Sequence, residues 1–122
     1  MEESSPSISV TSDGDILIVA FLQDELIDLK YLDEAHDTIS RLAQDRPQPK
    51  IVLDMANVTY LSSSGLGMLV KLIKLLGKSQ GRMCFANLCE RLAEIFETAS
   101  LDKIVSLCAS TEEAVATIRE SS

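Results

Sequence analysis

Three consecutive serines, Ser62-Ser63-Ser64, run into Gly65-Leu66-Gly67 and then into a long apolar stretch. Hydroxyls beside bare backbone can attack a substrate, cradle a phosphate, accept a phosphate, or cap a helix. A nucleophile elbow needs Gly-x-Ser-x-Gly, and Ser62 stands at the first glycine position ahead of Ser64. A serine hydrolase also needs a base, and the one histidine is His36, between Leu32 and Ile39 on or beside the apolar face of an expected helix. There a partly buried packing role accounts for it. The Gly77-Lys78-Ser79 triplet lacks the upstream glycine of a phosphate-binding loop, and Gly65-x-Gly67 lacks the third glycine of a dinucleotide fingerprint. A receiver-type acid pair is missing too, because Asp13 and Asp15 flank a turn. Cys84, Cys89 and Cys108 are odd in number with no CxxC spacing, which points to buried free thiols in a reducing compartment. No catalytic, metal-binding or cofactor-binding residues follow, and no enzyme is expected.

Bulk properties narrow the partners. A chain of 122 residues makes one domain with a core of its own. Aromatics are scarce, so that core is aliphatic. The net charge of −8 disfavours nucleic acid and anionic membranes, leaving proteins or small molecules. Lys71, Lys74 and Lys78 keep the longest apolar run below the roughly 18 residues of a membrane span. The opening MEESSPS is too acidic for a signal peptide, so a cytoplasmic location is expected.

The elements that must position the serines can be read from period and punctuation. Residues 1–6 are expected as a flexible tail, with the folded domain over 7–120. Asp13-Gly14 marks a hairpin, with Ile8 and Val10 on one strand and Ile16, Ile18 and Ala20 in phase on the next. A first helix starts near Asp28 and buries Leu32, Ala35, Ile39, Leu42 and Ala43, stopping before RPQP. KIVLDM is a buried central strand. A second helix follows the serines, with Ser64 as its natural cap and Gly77 or Gly81 as its stop. Leu66, Leu69, Val70, Ile73 and Leu76 would cover the sheet, and the lysines make a solvated stripe. Met68, Leu72 and Leu75 form a second apolar flank that either packs under a neighbouring helix or is partly exposed as a protein-binding patch. RMCFAN is another strand, and Asn87 with Glu90 suggests a capping box opening a third helix that carries Leu88, Leu92, Ile95, Phe96 and Ala99. KIVSL is the last strand, and Ser110 with Glu113 opens a fourth helix with Ala114, Val115 and Ile118 inward. The order β-β-α-β-α-β-α-β-α predicts an α/β domain, a mostly parallel or mixed sheet of about four to five strands with about four helices. Gly65 and Gly67 each cost a helix roughly 1 kcal/mol relative to Ala. Together they read as bare backbone for another molecule to approach.

The run IVLDMANVTYLSSSGLGMLV resembles the signature of the STAS domain, the family of bacterial anti-sigma factor antagonists and of the soluble tails of sulphate transporters. The likeness extends to the hairpin, to GRMCFANLCERLAEIFETASLDKIV and to the last helix. In antagonists of that family the serine directly before the glycine is phosphorylated by an anti-sigma factor that is also a serine kinase, and a phosphatase resets it. The resemblance therefore implies phosphorylation at Ser64, with Ser63 and Ser62 as secondary candidates. It also implies a partner surface made of Asp24, Asp28, Ser62, Ser63, Ser64, Gly65, Leu66, Gly67 and Met68. Two departures stand out. Ser62 occupies the place of a family aspartate that could orient the acceptor hydroxyl, and Asp24-Glu25-Leu26-Ile27-Asp28 lacks a family glycine. A constitutive, unphosphorylated interaction or scaffold module of the same fold and a small-ligand or nucleotide sensor are the alternatives.

Overall fold

In the computed structural model, which describes residues 3–5 and 7–120, the Asp13–Gly14 turn closes a hairpin. Gly14 takes the left-handed backbone, φ 63°, that such a turn demands. Strand β2 (Ile8–Asp13) pairs antiparallel with β3 (Ile16–Phe21), with Ile8 opposite Phe21 and Val10 opposite Val19. Those four share one face of the sheet with Leu17, so the phase expected for β3 is corrected. Ile16, Ile18 and Ala20 point to the opposite face, and both faces of β3 are largely covered. Part of the stretch expected as a tail is a strand, since β1 (Glu3–Ser4) pairs along β2. Residues 1, 2 and 6 lie outside the described residues.

From β3 onward the sheet is parallel. It continues through β5 (Lys50–Asp54) and β7 (Arg82–Ala86) to the short β8 (Ser106–Cys108), giving the order β1-β2-β3-β5-β7-β8. Alternation along β5 and β7 divides the core in two. Ile51, Leu53 and Phe85 face α1 (Leu29–Gln44), α2 (Ser63–Lys78) and α3 (Glu90–Thr98), whereas Val52, Cys84, Ala86 and Cys108 face α4 (Thr111–Glu120). Phe96 of α3 meets Phe85 edge-on, with ring centroids 4.9 Å apart.

All five apolar residues expected on α1 are buried, and Asp28 Oδ1 caps it by accepting from Lys30 N at 3.0 Å. The fourth helix is capped by Ser110, whose Oγ accepts from Glu113 N at 3.1 Å. Asn87 does not cap α3. It sits at φ 63°, donates its side-chain amide to Asp54 Oδ1 at 2.9 Å, and leaves Cys89 as a cap with no side-chain hydrogen bond. The last strand starts later than expected, because Leu101–Lys103 wind into a 3-10 turn whose Leu101 carbonyl accepts from Ile104 and Val105. Helix α2 ends by placing Gln80 in the left-handed region while Gly81 N–H returns to Leu76 O at 2.7 Å. The buried side of α2 is also corrected. Met68, Leu69, Leu72 and Leu76 are buried, because α1 packs beside α2 and covers the expected second flank, while Leu66, Val70, Ile73 and Leu75 are half-buried.

Candidate functional site

The three serines lie at the end of the sheet where the parallel strands finish, and each meets different surroundings. Ser62, not Ser64, caps α2: its Oγ accepts from Gly65 N at 3.0 Å and donates to Leu26 O at 3.1 Å. Its own N–H also donates to Leu26 O, at 3.2 Å. Ser62 is thus consumed by structure in both hydrogen-bonding directions, and an aspartate there could accept from Gly65 but could not donate to Leu26. Ser63 and Ser64 occupy the first two helical positions. Both are exposed, and among the described residues neither hydroxyl makes a side-chain hydrogen bond.

Beside them runs the segment between β3 and α1. Its strand β4 (Glu25–Leu26) pairs in parallel with β6 (Tyr60–Leu61), just ahead of the serines. Thr59 donates both its N–H and its Oγ1 to Asp24 O, at 2.8 and 3.2 Å. These bonds fix the Asp24–Asp28 loop against the start of α2. The two glycines separate here. Gly65 is buried, and a Cβ on it would collide with the backbone oxygen of Leu26, so this glycine serves an internal close approach. Gly67 faces open space. Of the expected partner surface, Asp24, Asp28, Ser63 and Ser64 stand at the surface, Ser62, Leu66 and Gly67 are half-buried, and Gly65 and Met68 turn inward.

Sequence reasoning missed the apolar part of this surface. Leu22, Ile27, Leu29 and Tyr60 are 44, 46, 61 and 42% exposed, four of the five large apolar residues exposed among those described. All four lie in loops or at the ends of strands and helices, and Leu29 shares a cavity with Ser64. Their signal was an apolar residue breaking an acidic loop, as in DELIDL. Two cavities flank the start of α2. One, of about 270 Å³, lies towards α1 and is lined by Leu29, Asp33, His36, Ser64, Gly67 and Lys71. The other, of about 360 Å³, lies towards α3 and holds Leu66, Arg91 and Ile95. A larger one, about 660 Å³, opens at the opposite end of β7 and β8 and contains none of the expected site residues.

His36 is half-buried, with Nδ1 3.4 Å from Ser40 Oγ, and it reaches the cavity beside Ser64. The cysteines stay reduced; Cys84 and Cys108 are buried under α4, and burial, then the nearby Cys108 thiol, pushes the Cys84 thiol up to about 11. A thiol so raised is a poor nucleophile near neutral pH. Among the described residues no group of three metal-ligating side chains forms, and no helix is long and apolar enough to cross a membrane.

Residues 7–114 match the family described as the STAS domain. The chain belongs to the STAS domain family. Its curated relatives include the anti-sigma-B factor antagonist of Bacillus subtilis (strain 168), 34% identical over 61 residues that make up 50% of this chain and 56% of that protein. The matched stretch is thus little more than half the length of that relative. Solved structures share the fold across nearly the whole chain. The anti-sigma-factor antagonist (STAS) domain protein from Planctomyces limnophilus superposes with a TM-score of 0.80 at 17% identity, covering 93% of this chain and 98% of that one. The Bacillus cell fate determinant SpoIIAA in its phosphorylated form gives 0.72 at 17% identity, covering 92% and 99%. This STAS domain is therefore antagonist-like in fold and in its matched sequence, with its serine-bearing helix start at one end of the sheet.

Proposed function

We propose that this STAS domain is an anti-sigma factor antagonist that binds an anti-sigma factor with serine-kinase activity and is released by phosphorylation of Ser64. One observation carries the reading: two exposed serine hydroxyls without side-chain hydrogen bonds stand at a helix start, and the exposed apolar Leu29 lines a cavity with one of them. Apolar exposure of that kind supports a protein partner. The Bacillus relative of the same fold that exists in a phosphorylated form supports a modification. In the transfer, the γ-phosphorus of a nucleoside triphosphate bonds to Ser64 Oγ and its bond to the β-phosphate oxygen breaks. The serine proton passes to a base on the kinase, and the diphosphate leaves. A phosphatase restores the hydroxyl by hydrolysis.

Energetics favour a switch that spares the fold. Negative charge at a helix N-terminus is stabilised by up to about 2 kcal/mol. Inside a partner interface the same group must be desolvated or meet like charge. A loss of about 3–4 kcal/mol there weakens binding by two to three orders of magnitude. Chain with Ser64→Ala is expected to retain its anti-sigma factor partner, measured by calorimetry on the purified pair, and Ser64→Asp to lose it. Full affinity in Ser64→Asp would contradict the switch. A constitutive binding module is the second reading, favoured by Ser62, whose hydroxyl is committed to Leu26 and Gly65 and cannot orient Ser64 as a carboxylate could.

A further inference from the structure

We propose that a phosphate on Ser64 is held by the domain itself, between Lys71 of α2 and His36 of α1, across the cavity that separates the two helices. The inference rests on Ser64 being the modified serine. Ser64, Gly67 and Lys71 fall three and seven residues along one face of α2 and line the same cavity of about 270 Å³. Side chains on a helix lean towards its N-terminus, so the Lys71 stem runs back towards the turn that carries Ser64. Gly67 lies between them with nothing within 4 Å of where its Cβ would be, and the path is open.

Lys71 is exposed and makes no ion pair among the described residues. From the facing helix, His36 turns Nδ1 towards Ser40 Oγ at 3.4 Å and Asp37 Oδ1 at 3.8 Å, which leaves Nε2 without a described partner. The N–H groups of Ser63 and Ser64 precede the first intrahelical donor, Leu66 N–H, and add two free donors at the same end. Asp33 opposes them, since it lines the cavity too. A group of charge −1.5 to −2 gains more from Lys71, the ring nitrogen and the helix start than it loses to one exposed carboxylate. The clamp would tie α1 to α2 in the modified form, and a phosphatase would have to draw the phosphate out of the cavity. Gly67 then has a role of its own, as the gap through which lysine and phosphate meet.

The test installs phosphoserine at position 64 during translation and follows the phosphate by phosphorus NMR against pH at low ionic strength. The second ionisation is expected below the usual value near 6. In Lys71→Met it is expected to rise by about half a pH unit or more, whereas Lys74→Met, off the cavity, leaves it unchanged. The helix start is common to all three proteins, so the difference isolates Lys71. Lys71 is a surface residue, and an unaltered unfolding midpoint of unmodified Lys71→Met shows that the fold is intact. Identical titrations in the parent and Lys71→Met proteins would overturn the clamp. Because the phosphate is installed directly, that outcome is separate from the question of whether cells modify Ser64.

Discussion

One backbone atom, the carbonyl oxygen of Leu26, organises the residues at the start of α2. Ser62 donates to it twice, and Gly65 approaches it so closely that no side chain fits. Replacing Gly65 with Ala is expected to destabilise the domain by about 1–3 kcal/mol, because backbone must shift to admit the methyl group. Gly77 faces open space inside the same helix, so Gly77→Ala is expected to stabilise by up to about 1 kcal/mol. Urea unfolding of the two variants checks both signs, and equal effects would contradict the assignment of Gly65 to internal packing. The sequence made Gly65 and Gly67 look alike, as bare backbone offered to a partner. Nothing in it marked Gly65 as the contact with β4, since a two-residue strand has no period to read. Capping was displaced for a related reason. With three serines in a row, the choice among them depends on where Leu26 lies.

At the level of elements, long periodic segments were legible and short ones were not. The buried face of α1 follows from its spacing alone, as does the burial of β5 between two layers. Phase along β3 was not legible, because ILIVAF is apolar at every position and both faces are covered. The second flank of α2 was ambiguous because its burial is decided by α1, a neighbour that no local pattern announces. Asn87 was misread because it follows a strand in the left-handed backbone, a conformation Asn tolerates, and spends its amide on Asp54. One tie between elements is pH-dependent. Ser7 Oγ donates to Glu34 Oε1 at 2.9 Å, and the Ser7 hydroxyl first, then Ser5, holds the Glu34 carboxyl below its usual 4.5. A carboxylate lowered in the folded state contributes stability above its unfolded value. That contribution is lost as pH falls from about 4.5 through the lower folded value. Glu34→Gln is therefore expected to flatten the fall in urea midpoint below pH 4.5, and an unchanged slope would show that the Ser7–Glu34 bond contributes nothing.

On the scale of the whole molecule, the domain is polar in its organisation. One end of the sheet gathers Ser63 and Ser64, the acidic loop and four of the exposed apolar side chains, while the larger cavity at the other end is lined by the fifth, Ile104. The family and the position of the serine-bearing helix start were legible because they reside in one long ordered motif. The exposed apolar residues were not, because the exposure of Leu22, Ile27, Leu29 and Tyr60 is decided by how the β3–α1 segment lies along β6, which no local pattern announces. The central claim is that Ser64 carries a regulatory phosphate. Its most direct test is intact-mass spectrometry of the protein purified from its native cells, with fragmentation across residues 54–82. The account predicts a population one phosphate heavier with the added mass localised to Ser64. A chain that carries no phosphate under any growth condition while still co-purifying with an anti-sigma factor would contradict it and leave a constitutive binding domain.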